Sequence, residues 1–208
     1  MTEDLLNVQA EENEMVAYWM FKKTLQLEVN KLDKDRTGKR PDFHVFKGNV
    51  NKGFVCEVKS ILSAGAGIST NNIRNLPSGG PFVFDPWPKF WSVLSDAVTQ
   101  YRELVAAKPS FGTLPFVVGV FFDFFADIWS YIPRELKDYP LVCALIRVER
   151  SREQSQLFER MSSAEIKEVI EGKRKVRIPP DTKKWALIRN SAAVNPISLK
   201  WFGQCFEE

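Results

Sequence analysis

Residues 40–60 read "RPDFHVFKGNVNKGFVCEVKS". Two short runs that alternate apolar and polar residues flank a Gly/Asn-rich centre, a pattern that predicts two strands joined as a hairpin. Strand side chains alternate between faces. Phe43, Val45, Phe54, Cys56 and Val58 therefore share one wholly apolar face. Asp42 and His44 share the other face on the first strand, as do Glu57 and Lys59 on the second. A turn centred on residues 49–52 sets Asp42 opposite Lys59, His44 opposite Glu57 and Phe43 opposite Val58. A slip of one residue would put Phe43 against charged groups, so the apolar pattern excludes it. Opposed Cβ atoms lie about 5 Å apart, which predicts one neighbourhood for Asp42, Glu57 and Lys59.

Upstream, residues 11–30 lack Gly and Pro and space Met15, Val16, Trp19, Met20 and Leu27 as a helix does. A polar connector, residues 31–40, follows. Downstream, residues 61–88 are rich in Gly, Ser, Asn and Pro, and so long a connection is usually functional or disordered. It leaves from the edge of the candidate site, with Arg74 as a candidate phosphate contact. Residues 89–107 form a second amphipathic pattern, with Trp91 as a helix-packing residue. "FVVGVFFDFF", residues 116–125, has the continuous apolar character of a strand covered on both faces. Residues 139–149 read likewise. Residues 162–171 suggest a short helix opened by a capping box from Ser162 to Glu165. Residues 183–190 and 198–206 read as late strands or an irregular covering layer. This order of elements predicts an α/β domain with a mixed sheet, and one domain over residues 1–208.

With 208 residues, 44% hydrophobic and 26% charged, the chain has a globular composition rather than a disordered one. The net charge of +3 permits an anionic partner. Residues 150–189 hold eleven Lys or Arg against six Asp or Glu, which reads as a solvated face or a phosphate-contacting surface. Cys56, Cys143 and Cys205 make an odd count without paired metal spacing, which favours a reducing, cytoplasmic location. The longest apolar run is about half a membrane span and contains Asp123, so no membrane segment is expected.

Pro41-Asp42, a spacer, then Glu57-Val58-Lys59 resembles the PD-(D/E)xK nuclease superfamily, the restriction-endonuclease-like fold. The resemblance implies a central mixed β-sheet flanked by helices in the order α-β-β-β-α-β. It covers a core of about residues 11–125, leaving 126–208 as a C-terminal extension. It also implies a Mg²⁺ site, with Mn²⁺ as a substitute, held by Asp42, Glu57 and the main-chain carbonyl of Val58. Hard divalent cations favour such oxygen ligands. Lys59 would orient the attacking water and offset charge in the transition state. The implied reaction is phosphodiester hydrolysis, with DNA the expected nucleic acid and RNA left open. Restriction-like enzymes often pair, which makes a homodimer a further expectation.

Many members bring another acid from the first helix. Glu12 is the first candidate, because it shares the inward stripe of Met15, Val16 and Trp19; Glu14 is the second. Gln100 on the second helix is a further candidate, although the family's Gln followed four residues later by Tyr is absent, since residue 104 is Leu. His44, the only histidine, is expected to pack or to support the site rather than to ligate metal. Two other readings stay open. One is a non-catalytic nucleic-acid-binding or assembly subunit that retains the fold. The other is a surface hairpin whose charges form a cross-strand salt bridge.

Overall fold

The computed structural model describes residues 3–32, 40–61, 87–122, 132–148, 156–157, 160–170, 173–176, 185–202 and 206–207. Arg74 and the loop around it, Asp123 and Cys205 lie outside the described residues. Helix α1 (Glu3–Trp19) leads through a π-helical turn (Met20–Thr24) into β1 (Glu28–Lys31), β2 (Phe43–Lys47) and β3 (Asn49–Ile61). Helix α2 (Trp87–Ala107) and a 3₁₀ turn (Pro109–Thr113) then precede β4 (Phe116–Phe122). The remainder contributes α3 (Ile132–Glu135), β5 (Val142–Val148), α4 (Ser163–Ile170), β6 (Trp185–Arg189) and β7 (Phe206–Glu207). The fold is α/β, with strands lying side by side in chain order. The sheet is mixed: β1, β2 and β3 pair antiparallel, β3, β4 and β5 parallel, and β6 antiparallel to β5. Residues beyond 125 thus extend the same sheet.

Two apolar layers hold the sheet between them. Phe43, Val45, Phe54, Cys56 and Val58 pack with Met15, Val16 and Phe21 from the α1 segment and with Ile166 and Val169 of α4. On the opposite face Val55, Ile61, Phe116, Val118 and Val120 pack with Phe90, Leu94, Ala97 and Leu104 of α2. The sequence suggested one apolar and one ionisable face for the hairpin. In the structure both faces of β3 are buried, and Glu57 and Lys59 stand between Val55 and Ile61 within the α2-side layer.

The helix expected over residues 11–30 ends earlier. Leu25 N–H reaches the Met20 carbonyl (3.0 Å) and Leu27 N–H the Phe21 carbonyl (2.9 Å), which widens the last turn. Gln26 then takes a positive φ of 54°, a conformation uncommon for a residue other than Gly, and the chain turns into β1. Pairing with β2 sets this segment's state, because its local spacing is compatible with helix.

The hairpin register differs from that expected. Phe43 pairs with Cys56, His44 with Val55, Val45 with Phe54 and Phe46 with Gly53. Asp42 is therefore level with Glu57 rather than Lys59, and Phe43 is not opposite Val58. The shift is two residues, so every side chain keeps its expected face. The turn explains it. Gly48, at φ +68°, turns the chain so that Lys47 pairs with Asn49, and the ladder shifts so that Val50, Asn51 and Lys52 are spliced into β3 alone. Gly53 is required where they rejoin: a Cβ there would stand 2.2 Å from the Val45 carbonyl oxygen. The apolar alternation constrained parity, while glycine geometry chose among registers of equal parity.

Candidate functional site

Strand β2 begins at Phe43, and β3 runs past it toward Ile61. The edge of β3 left open there is closed by side chains. Val58 N–H donates to Asp42 Oδ2 (2.7 Å), and Asp42 N–H donates to Glu57 Oε2 (3.1 Å). Both carboxylates are buried, Asp42 at 8% exposure and Glu57 at 2%. Backbone groups of a strand alternate between its two edges. Val55 N–H points toward β4, donating to the Pro115 carbonyl, so Val58 presents its N–H and C=O on the Asp42 side. The sequence-predicted ligand set, Asp42, Glu57 and the Val58 carbonyl, is thus gathered at one place.

Lys59 forms an ion pair with Glu57 Oε1. Its Nζ also donates to Gln100 Oε1 at 2.7 Å, which brings in the candidate from α2. Gln100 is positioned by its neighbour Tyr101, which stacks on Phe116 (centroids 4.5 Å apart) and donates to the carbonyls of Phe111 and Leu114.

Burial dominates the electrostatics. It pushes Asp42 well above the usual carboxylate range, aided by the charges of Glu57 and Glu14, against the pull of the Val58 N–H and Lys59. Burial likewise raises Glu57 to about 7, even though Lys59 opposes it by charge and hydrogen bond. Glu14 again adds to the rise. Glu12 is buried as its stripe suggested; the charge of Glu14, the second candidate, raises both members of the pair, and Glu14 is itself bonded to Lys31 at 3.2 Å. Sequence reasoning also missed Asn13, fully buried, whose Nδ2 donates to Ser60 Oγ (2.7 Å) and ties α1 to the residue after Lys59.

The donor set suits a hard cation. Two crowded carboxylates resist carrying two negative charges in a buried pocket with one ammonium, and a divalent cation offsets that excess. Among the described residues no group of three or more His, Cys, Asp or Glu side chains forms a metal cage. Mg²⁺ commonly uses one or two carboxylates and completes its shell with water and phosphate. Cys56 is no ligand, since it lies in the α1-side layer and burial pushes its thiol well up.

His44 faces the α2 side, 3% exposed, against Phe46 and Phe111 (ring centroids 5.0 and 5.1 Å). Burial lowers its pKa, and a hydrogen bond to the Val50 backbone opposes that shift. It packs beside the site, as expected. Trp91 stacks on Tyr139 at 5.5 Å. Of the basic run, Lys173, Arg174 and Lys175 are exposed, and Arg174 pairs with Glu165. No helix among the described residues is long and apolar enough to cross a membrane. Comparison with protein-family models, curated proteins and solved structures finds no match.

Proposed function

We propose that this chain is a Mg²⁺-dependent nuclease of the PD-(D/E)xK kind, hydrolysing phosphodiester bonds, with DNA as its substrate. The observation that carries this reading is the buried Asp42–Glu57 pair closed over the edge of β3 beside Lys59. The order α-β-β-β-α-β from α1 to β4 supports it, being the order the restriction-endonuclease-like core would have. Asp42, Glu57 and the Val58 carbonyl would hold Mg²⁺, or Mn²⁺ in its place. When bound, the cation supplies an acidified water and stabilises charge on the phosphate. An ammonium has three N–H donors; Glu57 and Gln100 take two of those on Lys59, which leaves one for the attacking water or a phosphate oxygen. Gln100 fixes the direction of that ammonium. A cytoplasmic location, and a homodimer whose two sites would reach the two strands of a duplex, belong to the same reading.

The test is cleavage of single- and double-stranded DNA by purified protein with Mg²⁺ or Mn²⁺. EDTA should stop it, and Asp42→Ala and Lys59→Ala should each lower the rate by at least about 10²-fold. Activity that survives both substitutions overturns the assignment. DNA binding without cleavage, and without carboxylate-dependent Mn²⁺ uptake in calorimetry, would favour the non-catalytic subunit instead.

A further inference from the structure

Beyond Cys56, which pairs with Phe43, strand β3 runs on to Ile61 against β4 with no β2 residue on its other edge. A gap therefore opens between the end of β1 and the end of β3, two strand spacings or roughly 10 Å wide. Asp42 fills it from within the sheet. Its carbonyl accepts the Leu32 N–H just past β1 (2.8 Å), and its carboxylate accepts the Val58 N–H of β3 (2.7 Å). Helix α1 bridges the same two strands with consecutive residues. Asn13 Nδ2 donates to Ser60 Oγ of β3 (2.7 Å), and Glu14 takes Lys31 of β1 (3.2 Å).

Asn13 is the unusual member of this set, because it is fully buried. Its near neighbours Met15 and Val16 belong to the apolar α1-side layer, and a buried amide must be hydrogen-bonded. A Leu at 13 over an Ala at 60 would fill similar space with nothing polar to satisfy. What the amide adds is direction. Apolar packing tolerates a small slide of helix along strand, whereas a buried polar pair is satisfied in one alignment. A slide of one helical residue is about 1.5 Å, and a misplacement of about 1 Å at a reacting group can cost about 10²-fold in rate.

We propose that Asn13 is a positioning residue for Lys59, acting through Ser60. The inference rests on the nuclease reading, in which Lys59 serves the attacking water or the phosphate. Ser60 follows Lys59 directly, with Cα atoms about 3.8 Å apart, so a shift of the strand at Ser60 carries Lys59 with it. The two residues are held from opposite layers: Gln100 of α2 takes the Lys59 ammonium (2.7 Å), and Asn13 of α1 takes Ser60. Because Asp42 is bonded to the same stretch of β3 through Val58, the Asn13 contact sets Lys59 relative to that carboxylate.

The experiment separates position from stability. Asn13→Leu combined with Ser60→Ala exchanges both partners for apolar groups, so the double variant should keep the wild-type Tm. At that unchanged Tm its kcat should fall about tenfold or more with KM unaltered. Ser60→Thr keeps the hydroxyl acceptor and should keep the wild-type kcat. Mn²⁺ affinity in calorimetry should be the same in all three proteins, since Asp42 and Glu57 are untouched. Ser60→Ala alone changes a partly exposed position and should show the same kcat loss, which serves if the double variant fails to fold. A readout without turnover is the Lys59 Nζ resonance in lysine-labelled protein, assigned by its absence in Lys59→Arg. It should move in the double variant and in Ser60→Ala, and stay in place in Ser60→Thr. Wild-type kcat in the folded variants, a loss carried by KM, or an unmoved Lys59 resonance overturns the proposal. If the wild-type protein cleaves no strand with any metal, the nuclease reading falls, and the resonance alone decides whether Asn13 places Lys59.

Discussion

Glu57 and Glu165 make a controlled comparison within one chain. Each accepts a backbone N–H, from Asp42 and Ser162 respectively, and each is ion-paired, to Lys59 and Arg174. Their acidities move in opposite directions. The Ser162 backbone and hydroxyl, with Arg174, hold Glu165 below the usual carboxylate range, whereas burial lifts Glu57 to about 7 despite Lys59. The same partners produce a surface cap in one place and a charge-hungry pocket in the other. Desolvation decides which.

The largest effect that would separate the two is catalytic. Glu57→Gln keeps the size of the side chain but removes the charge that, in the proposed function, would hold the cation. It should lower metal-dependent cleavage by about 10²-fold or more, while Glu165→Gln leaves the rate unchanged. Equal rates for both variants would show that buried charge at residue 57 serves no chemistry.

Next in size is the substitution that tests how Glu57 came to face Asp42. Gly53→Ala would drive a Cβ into the Val45 carbonyl, and overpacking of that kind costs about 1–3 kcal/mol or more. Gly48→Ala, where a Cβ meets nothing within 4 Å, should cost only the left-handed backbone penalty of about 1–2 kcal/mol. Denaturant midpoints for the two variants give the comparison, and a smaller loss at Gly53 than at Gly48 would contradict the register.

That pair also marks the limit of what the sequence made legible. Alternation along β2 and β3 assigned each side chain its face and brought Asp42, Glu57 and Lys59 together. Alternation is blind to a two-residue shift, and the tight turn at Gly48 with the insertion of Val50–Lys52 was not visible in it. The β1 strand was misread as helix because Leu27 sits at helical spacing and nothing local breaks the run before Gln26. Burial of the site face was written in Val55 and Ile61, which share the parity of Glu57, but charged neighbours make such a face look solvated. Of the two first-helix candidates, Glu12 is buried as its stripe suggested, and the charge of Glu14 acts on both Asp42 and Glu57.

The third effect is the pH dependence of stability, and the two carboxylates carry opposite signs. Glu57 binds its proton more tightly folded than unfolded, so between its ordinary 4.5 and about 7 the native state holds protons that the unfolded chain has released. Stability from this group falls as pH rises through that window. The raised Asp42 acts in the same sense. Glu165 does the reverse: its contribution is present above the unfolded value and is lost as pH falls through the lowered folded one. Metal-free protein should therefore melt at a lower temperature at pH 8 than at pH 5 by an amount that Glu57→Gln reduces. Mn²⁺ at a hundredfold excess over its Kd should add back about 2.7 kcal/mol at pH 8. Melting curves in which Glu57→Gln leaves the slope intact would show that the pocket is not desolvated in solution.

The smallest effect lies at the cap. Ser162 Oγ accepts the Glu165 N–H (3.3 Å) while Glu165 Oε2 accepts the Ser162 N–H (2.8 Å), so first-turn donors of α4 are satisfied reciprocally. Ser162→Ala should cost about 1 kcal/mol, read as a drop in Tm of roughly 2–4 °C, with cleavage unaltered. Inner residues of α4, Ile166 and Val169, remain in the α1-side core, so the helix frays at its start without leaving the sheet. Added salt should weaken the contribution of the exposed Arg174–Glu165 pair and leave the buried Lys59–Glu57 contact much less changed. A cap loss that lowered cleavage in proportion to stability would mean that α4 transmits strain through α1 to Glu14, and the surface and the pocket would then be one coupled system rather than two independent solvation regimes.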